Sequence, residues 1–336
     1  MKKNMLFLGA LAIAMSVSAQ KPKMWLDPEV NQENRKEARA AYFAYENTEL
    51  AAQADKSKSA RYLDLTGEWK FNFVKNHNEA PQGFFAVGYD DSKWDNFPVP
   101  GLFEILGYGD RIYRNAGYPW NLQFEPNPPY IEERNNYTGS YRKSFMIPAD
   151  WKGQQVYLHV GSATSNLMVW VNGKYVGYSE DAKMAAEFDI TPYLVPGKEN
   201  LVAMQVMRWC DGSYLEDQDF WRFTGIAREV YMYARPQVRV DDLFILPDLD
   251  KNYKNGTLKI SATADNAAGK SLRYTLKDAS GKVVKSATTA INGEGKAETV
   301  LAVNNPAKWS AESPYLYTLG IELVDGDQVI EAISQK

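Results

Sequence analysis

Asn166-Leu167-Met168-Val169-Trp170-Val171-Asn172-Gly173-Lys174-Tyr175-Val176-Gly177-Tyr178 is the stretch that decides the fold. Apolar residues flank an Asn-Gly pair. Asn-Gly tolerates positive φ at both central positions of a type I′ turn, whose twist matches the strands it joins. The stretch predicts a β-hairpin. Strand patterns continue on both sides of it, at 140–147, 155–160, 200–209 and 225–234. Further upstream, 62–73 (YLDLTGEWKFNF) alternates around a glycine, and Pro98-Val99-Pro100-Gly101 marks a turn. No strand–helix alternation appears, which excludes a Rossmann or (β/α)8 domain within these 336 residues. The expected fold class is all-β.

The rest of the chain divides around this block. Residues 1–19 have the form of a leader, with Lys2-Lys3, an apolar run from Leu6 to Val17, and Val17-Ser18-Ala19 ahead of Gln20. Cleavage is expected between Ala19 and Gln20, giving a periplasmic or secreted protein. No later run is apolar enough to cross a membrane. Residues 20–60 read as an arm with little structure of its own, docking on another part of the protein. Within it, 34–41 has helical composition and 51–60 reads as a linker. Residues 61–236 form the first β-domain. From 237 to 336 about seven short strands separated by Gly/Asn/Asp turns (244–246, 257–264, 272–277, 283–287, 298–303, 315–323 and 328–333) give the pattern of an immunoglobulin-like sandwich.

Composition narrows the chemistry. With 38 Lys+Arg against 42 Asp+Glu, there is no basic footprint for nucleic acid. One cysteine, Cys210, excludes an internal disulfide, and two histidines, His77 and His159, argue against a multi-histidine zinc site. Aromatic residues make up 13% of the chain, enough to pack β-sheets and to offer flat rings to sugars. The loop 107–130 is rich in Gly, Pro, Asn and Tyr, and its Tyr108, Tyr113, Tyr118 and Trp120 either stack on a sugar or pack the loop. The densest polar cluster is Asp211-Gly212-Ser213-Tyr214-Leu215-Glu216-Asp217-Gln218-Asp219-Phe220-Trp221-Arg222. Its four carboxylates suit a hard-cation site, a glycosidase carboxylate pair, or a turn whose acids cap backbone groups and pair with Arg208, Arg222 or Arg228.

Several of these stretches together resemble the bacterial β-galactosidases of glycoside hydrolase family 2. They include Leu65-Thr66-Gly67-Glu68-Trp69, Ile112-Tyr113-Arg114-Asn115, Val169-Trp170-Val171-Asn172-Gly173, Asp211 to Trp221, Gly225-Ile226-Ala227-Arg228 and Pro314-Tyr315-Leu316-Tyr317. The resemblance implies a sugar-binding jelly roll over 61–236, then the immunoglobulin-like sandwich. It carries over two site residues. Asn115 matches an asparagine of the galactose subsite, and Asp219 an aspartate that borders the galactosyl hydroxyls and ligates sodium. The family's two catalytic glutamates and its magnesium ligands lie on a (β/α)8 barrel, and none maps onto this sequence. The implied role is the N-terminal portion of an exported retaining β-galactosidase, inactive alone, with the barrel supplied in cis or in trans and a homo-oligomer open for the intact enzyme. A free-standing carbohydrate-binding module and a non-catalytic partner of a separate barrel are the alternatives. Residues 331–336 read as the middle of the sandwich's last strand, as if truncated there. Phe103 stands where the family usually has tryptophan, implying a slightly altered rim.

Overall fold

The computed structural model describes residues 23–180, 182–216 and 219–336. The expected leader and its cleavage point lie outside the described residues. Among the described residues no helix is long and apolar enough to cross a membrane.

Two sheets build the first sandwich. The larger has seven strands in the order Gln32–Glu33, Lys174–Ser179, Leu167–Val171, Glu199–Met207, Thr138–Met146, Gly67–Val74 and Asp95–Val99. The smaller runs Ala186–Asp189, Gln155–Val160, Val230–Arg235 and Tyr62–Asp64. All of these pairings are antiparallel. Inward-facing side chains of both sheets share one core, with Trp69, Phe71, Phe97, Tyr141, Leu158 and Phe188 among its fully buried members. The alternation read at 62–73 and 155–160 arises from this arrangement, because successive strand residues point to opposite faces.

The Asn-Gly hairpin forms as its sequence dictates. Asn172 and Gly173 both have positive φ, at 51° and 80°, between the paired strands Leu167–Val171 and Lys174–Ser179. The Asn172 amide also ties the turn down, donating to Asn200 Oδ1 at 2.7 Å and accepting from Leu201 N at 2.9 Å. At Gly177 the missing side chain matters for a different reason. A Cβ there would lie 2.5 Å from the Glu33 carbonyl, so only glycine lets the arm strand Gln32–Glu33 lie against this edge.

The arm departs from its sequence reading. Residues 34–41 are extended rather than helical, and the helix is Thr48–Gln53, partly inside the stretch read as a linker. Tertiary contacts outweigh the weak helical composition of 34–41. Arg35 bridges to Phe188, Lys36 N donates to Glu187 O, and Arg39 forms a two-point ion pair with Glu187 at 3.1 and 3.2 Å. The helix begins where a cap exists, with Asn47 accepting from Leu50 N, and stops at Ala54 in the left-handed region. Further along, Tyr45 bridges to Ala332, so the arm straps both sandwiches together.

The second sandwich packs Arg239–Leu249, Gly256–Asp265 and Lys296–Val303 against Val283–Ala290, Ser271–Lys277, Thr318–Asp325 and Gln328–Gln335. Its core is apolar, with Leu272, Tyr274, Ile321 and Leu323 fully buried. Glu331 joins it to the first sandwich. This carboxylate is fully buried and accepts from Arg235 Nε and Nη2, at 2.8 and 2.6 Å, and from Val240 N at 3.1 Å. Arg61 Nη1 stands 3.5 Å from the same carboxylate.

Candidate functional site

A short ribbon on the loop side of the first sandwich carries the site. Ile112–Arg114 pairs with Phe220–Arg222, and the last pair in register is Phe220 with Arg114. Asn115 and Asp219 are the next residue on each strand, so the chain brings them to the same open end of the ribbon. Ile112 and Arg222 form the inward pair and are buried. Tyr113 and Trp221 form the outward pair, about half exposed, with ring centroids 5.3 Å apart. The Tyr113 hydroxyl donates to Asp219 Oδ1 at 2.7 Å, a diagonal contact across the ribbon. That bond, with the carboxylate's charge, raises the Tyr113 pKa above the usual phenol value. Trp221 is also stacked parallel to Phe223.

The four aromatics singled out in the loop separate into two kinds. Tyr108 packs against Phe71 and Phe97 and donates to Asp95 at 2.8 Å, and Trp120 leans on Phe124 and Tyr214 beneath the loop. Tyr113 and Tyr118 remain exposed. Phe103 is not at a rim, because it is fully buried among Phe71, Phe73 and Tyr141. His159 is structural, stacked on Tyr231 and bonded to Glu187 at 2.9 Å.

A buried polar network holds the ribbon in place. Arg222 pairs with Glu216, donates to Ser165 Oγ at 2.8 Å, and lies over the Trp209 ring. Arg208 stands 3.7 Å from Glu104 and covers Tyr137. Glu104 in turn accepts from Thr224 N and Oγ1, at 2.8 and 2.9 Å. Burial pushes the Glu104 pKa up, against those bonds. The structural reading of the 211–222 cluster therefore accounts for Glu216, while Asp219 stays at the surface. Asp217 lies outside the described residues.

Sequence reading missed Glu180, which follows the hairpin and meets the cluster in space. Glu180, Asp211 and Cys210 place ligand atoms within 4.8 Å of one another, the only such group of His, Cys, Asp and Glu among the described residues. Burial, reinforced by Asp211, pushes the Glu180 pKa up to about 9. A protonated Glu180 then supplies the donor that buried Asp211 Oδ2 otherwise lacks. A shared proton and a bound cation would serve the same end, removing repulsion between two buried acids. The pair cannot act as glycosidase carboxylates, which must flank a scissile bond in an open cleft, because Asp211 is buried. Burial likewise pushes the Cys210 thiol well up, leaving it inert.

An exposed amide, a carboxylate and two half-exposed rings thus stand together on one ribbon. Two antiparallel sandwiches in succession, the first carrying this ribbon, define the class, an all-β two-sandwich protein. The chain belongs to glycosyl hydrolases family 2. Residues 62–236 match that family's sugar binding domain, and residues 238–336 match the domain described as Glycosyl hydrolases family 2. A β-galactosidase of Priestia megaterium is 39% identical over 320 residues, covering 92% of this chain and 31% of that protein. The β-galactosidase large subunit of Leuconostoc lactis is 35% identical, covering 92% of this chain and 50% of the subunit. The chain thus spans about a third to a half of these relatives, at their N-terminal part. The fold is also that of a Bifidobacterium dentium β-glucuronidase (TM-score 0.62, 20% identity, 82% of this chain and 47% of that one). A Bacteroides vulgatus β-glycosidase shares it too (TM-score 0.63, 22% identity, 82% and 33%).

Proposed function

We propose that this chain supplies the N-terminal portion of an exported retaining β-galactosidase. Asn115 and Asp219 form one wall of its galactose subsite, and the two sandwiches scaffold a catalytic barrel in cis or in trans. The observation that carries this reading is the meeting of Asn115 and Asp219, 104 positions apart in sequence, at one end of a ribbon braced by Arg222. The Asp219 carboxylate accepts from sugar hydroxyls, the Asn115 amide both donates and accepts, and Trp221 offers an apolar face. Tyr113 fixes the Asp219 rotamer through its hydrogen bond.

Sodium at Asp219 belongs to the same reading, with Asp219 as one of its ligands. A hard cation takes several oxygens, whereas Asp219 belongs to no group of three candidate ligands among the described residues. One of its oxygens already faces Tyr113. In this reading Asp219 supplies one ligand oxygen and the rest come from other parts of the complete site, and no catalytic step is assigned to that ion. Magnesium belongs to the barrel in this reading, and the leader 1–19 directs export, which N-terminal sequencing of the secreted chain at Gln20 would support.

The test uses two proteins. The purified chain is expected to show no turnover of a chromogenic β-galactoside. A chimera in which this chain replaces the matching part of the P. megaterium enzyme is expected to be active. In that chimera Asp219→Asn should lower kcat/KM by about 10–100-fold, the worth of one or two charge-assisted hydrogen bonds. Turnover by the chain alone, or a chimera indifferent to Asp219→Asn, defeats the reading.

A further inference from the structure

The buried end of the ribbon meets the seven-stranded sheet at Ser165, two residues before the strand Leu167–Val171. Backbone bonds fix Ser165 to that sheet. Ser165 N donates to Met207 O at 2.8 Å, and the neighbouring Asn166 Oδ1 accepts from Met207 N at 2.9 Å. Thr164 and Gly225 exchange backbone bonds at 3.1 and 3.2 Å, which brings the chain just past the ribbon alongside. Ser165 and Arg222 are both buried, and Arg222 Nη2 donates to Ser165 Oγ at 2.8 Å.

The Ser165 hydroxyl has one proton and two lone pairs, and its neighbours use all three. Arg222 can only donate, so its Nη2 takes one lone pair. The Arg208 carbonyl, 2.9 Å away, can only accept, so it takes the proton. Ser213 Oγ, 3.0 Å away, then donates into the second lone pair. Its own oxygen accepts from Cys210 N at 3.1 Å, and the poorer acceptor Cys210 Sγ lies 4.0 Å off. One arrangement of protons thus satisfies every member and holds the guanidinium head in one place. The other anchor of Arg222, Glu216, is partly exposed, and the arginine's Nε has no partner. Ser165 is therefore the buried hold on a strand whose other end leads into Asp219.

We propose that Ser165 is a positioning residue for the sugar site. Its hydroxyl fixes Arg222 and, through the three-residue strand Phe220–Arg222, sets where Asp219 stands. Removing it leaves Arg222 Nη2 and the Arg208 carbonyl without this partner in a buried place, so the arginine follows Glu216 and the strand shifts with it. A displacement of about 1 Å in a group that orients substrate can lower a rate by about 100-fold. The inference rests on the reading of Asp219 as a galactose ligand, and it adds what holds that ligand in place.

Amide hydrogen exchange in the isolated chain tests the hold without reference to activity. Ser165→Ala should speed exchange at the ribbon, 112–114 and 220–222, by about ten-fold or more, while the hairpin strands 167–171 and 174–179 keep their rates. Unchanged ribbon exchange overturns the proposal. So does an equal rise in ribbon and hairpin, which is what a general loss of stability produces. The P. megaterium chimera reads the consequence for function. There Ser165→Ala should lower kcat/KM by about ten-fold. Because both changes act at one carboxylate, the double variant with Asp219→Asn should stay within about three-fold of Asp219→Asn alone. A double variant whose loss is the product of the two single losses places Ser165's effect elsewhere and overturns the proposal. The two readings fail separately. A chimera indifferent to Asp219→Asn, with ribbon exchange still raised by Ser165→Ala, removes the galactose reading and retains Ser165 as the hold on the ribbon. A chimera that needs Asp219 but not Ser165 retains the galactose reading and overturns this inference.

Discussion

The loop end of the first sandwich and the interior of the second handle polar groups in opposite ways. Glu104, Arg208, Asp211 and Arg222 are all buried beneath the ribbon of the first. In the second, the core is apolar, and its fully buried carboxylate, Glu331, is held by Arg61 and Arg235 from the first. The difference follows from backbone regularity. Seven regular strands satisfy their own amides and carbonyls by pairing, so only an apolar face is left to bury. The irregular segments around 101–136 and 208–224 lack that ladder, and side chains must complete their hydrogen bonds. Precise loop positioning therefore costs buried charge, and each such charge is a point where one substitution has a large effect.

The joint between the two regions should give the largest effect. Glu331→Ala removes an acceptor shared by Arg235, Val240 N and Arg61, and leaves Arg235 buried without its counter-ion. Breaking one side of a buried pair costs about 3–5 kcal/mol. Urea unfolding should show that loss, with the two sandwiches melting separately as the joint fails. A single transition at the parent midpoint would mean that the sandwiches do not depend on Glu331.

Glu180→Gln sharpens the comparison through pH. The folded pKa of Glu180, about 9, lies above its ordinary value of 4.5. The folded state thus keeps a proton that the unfolded chain releases. This contribution to stability is fully present below about pH 4.5 and is lost progressively as pH rises to about 9, with a slope of at most about 1.4 kcal/mol per unit. Glutamine stays neutral and can still donate to Asp211. The variant should match the parent near pH 5 and exceed it by roughly 1–3 kcal/mol at pH 8. Parallel stability curves for the two proteins would show that Glu180 carries no extra proton.

How much could be read from the sequence follows the same division. The 166–178 hairpin was legible because Asn-Gly dictates its turn locally, and the strands from 257 to 333 because apolar alternation is local too. Position 34–41 misled because its extended form is imposed by Glu187 and Phe188, some 150 residues away. Asn115 and Asp219 came from family resemblance. Their ribbon strands are three residues each, too short for periodicity to reveal. Glu180 had no local signal at all, since its meaning depends on Asp211 folding back over it. Phe103 was misplaced for a similar reason, because sequence proximity to the loop says nothing about which way a ring points.

The smallest expected effect lies on the exposed face of the ribbon. Tyr113→Phe removes one hydrogen bond to Asp219 between solvent-facing groups and keeps the ring against Trp221. Water replaces such a bond readily, so stability should change by less than about 0.5 kcal/mol. Function is different, because Asp219 loses the contact that fixes its rotamer. In the chimera, kcat/KM for a β-galactoside should fall about 3–10-fold, the worth of one solvent-exposed hydrogen bond. Loss of activity at unchanged stability separates a positioning hydroxyl from a structural one. An unchanged kcat/KM would show that Asp219 keeps its place without Tyr113, and that the buried Arg222 network alone sets the geometry of the ribbon.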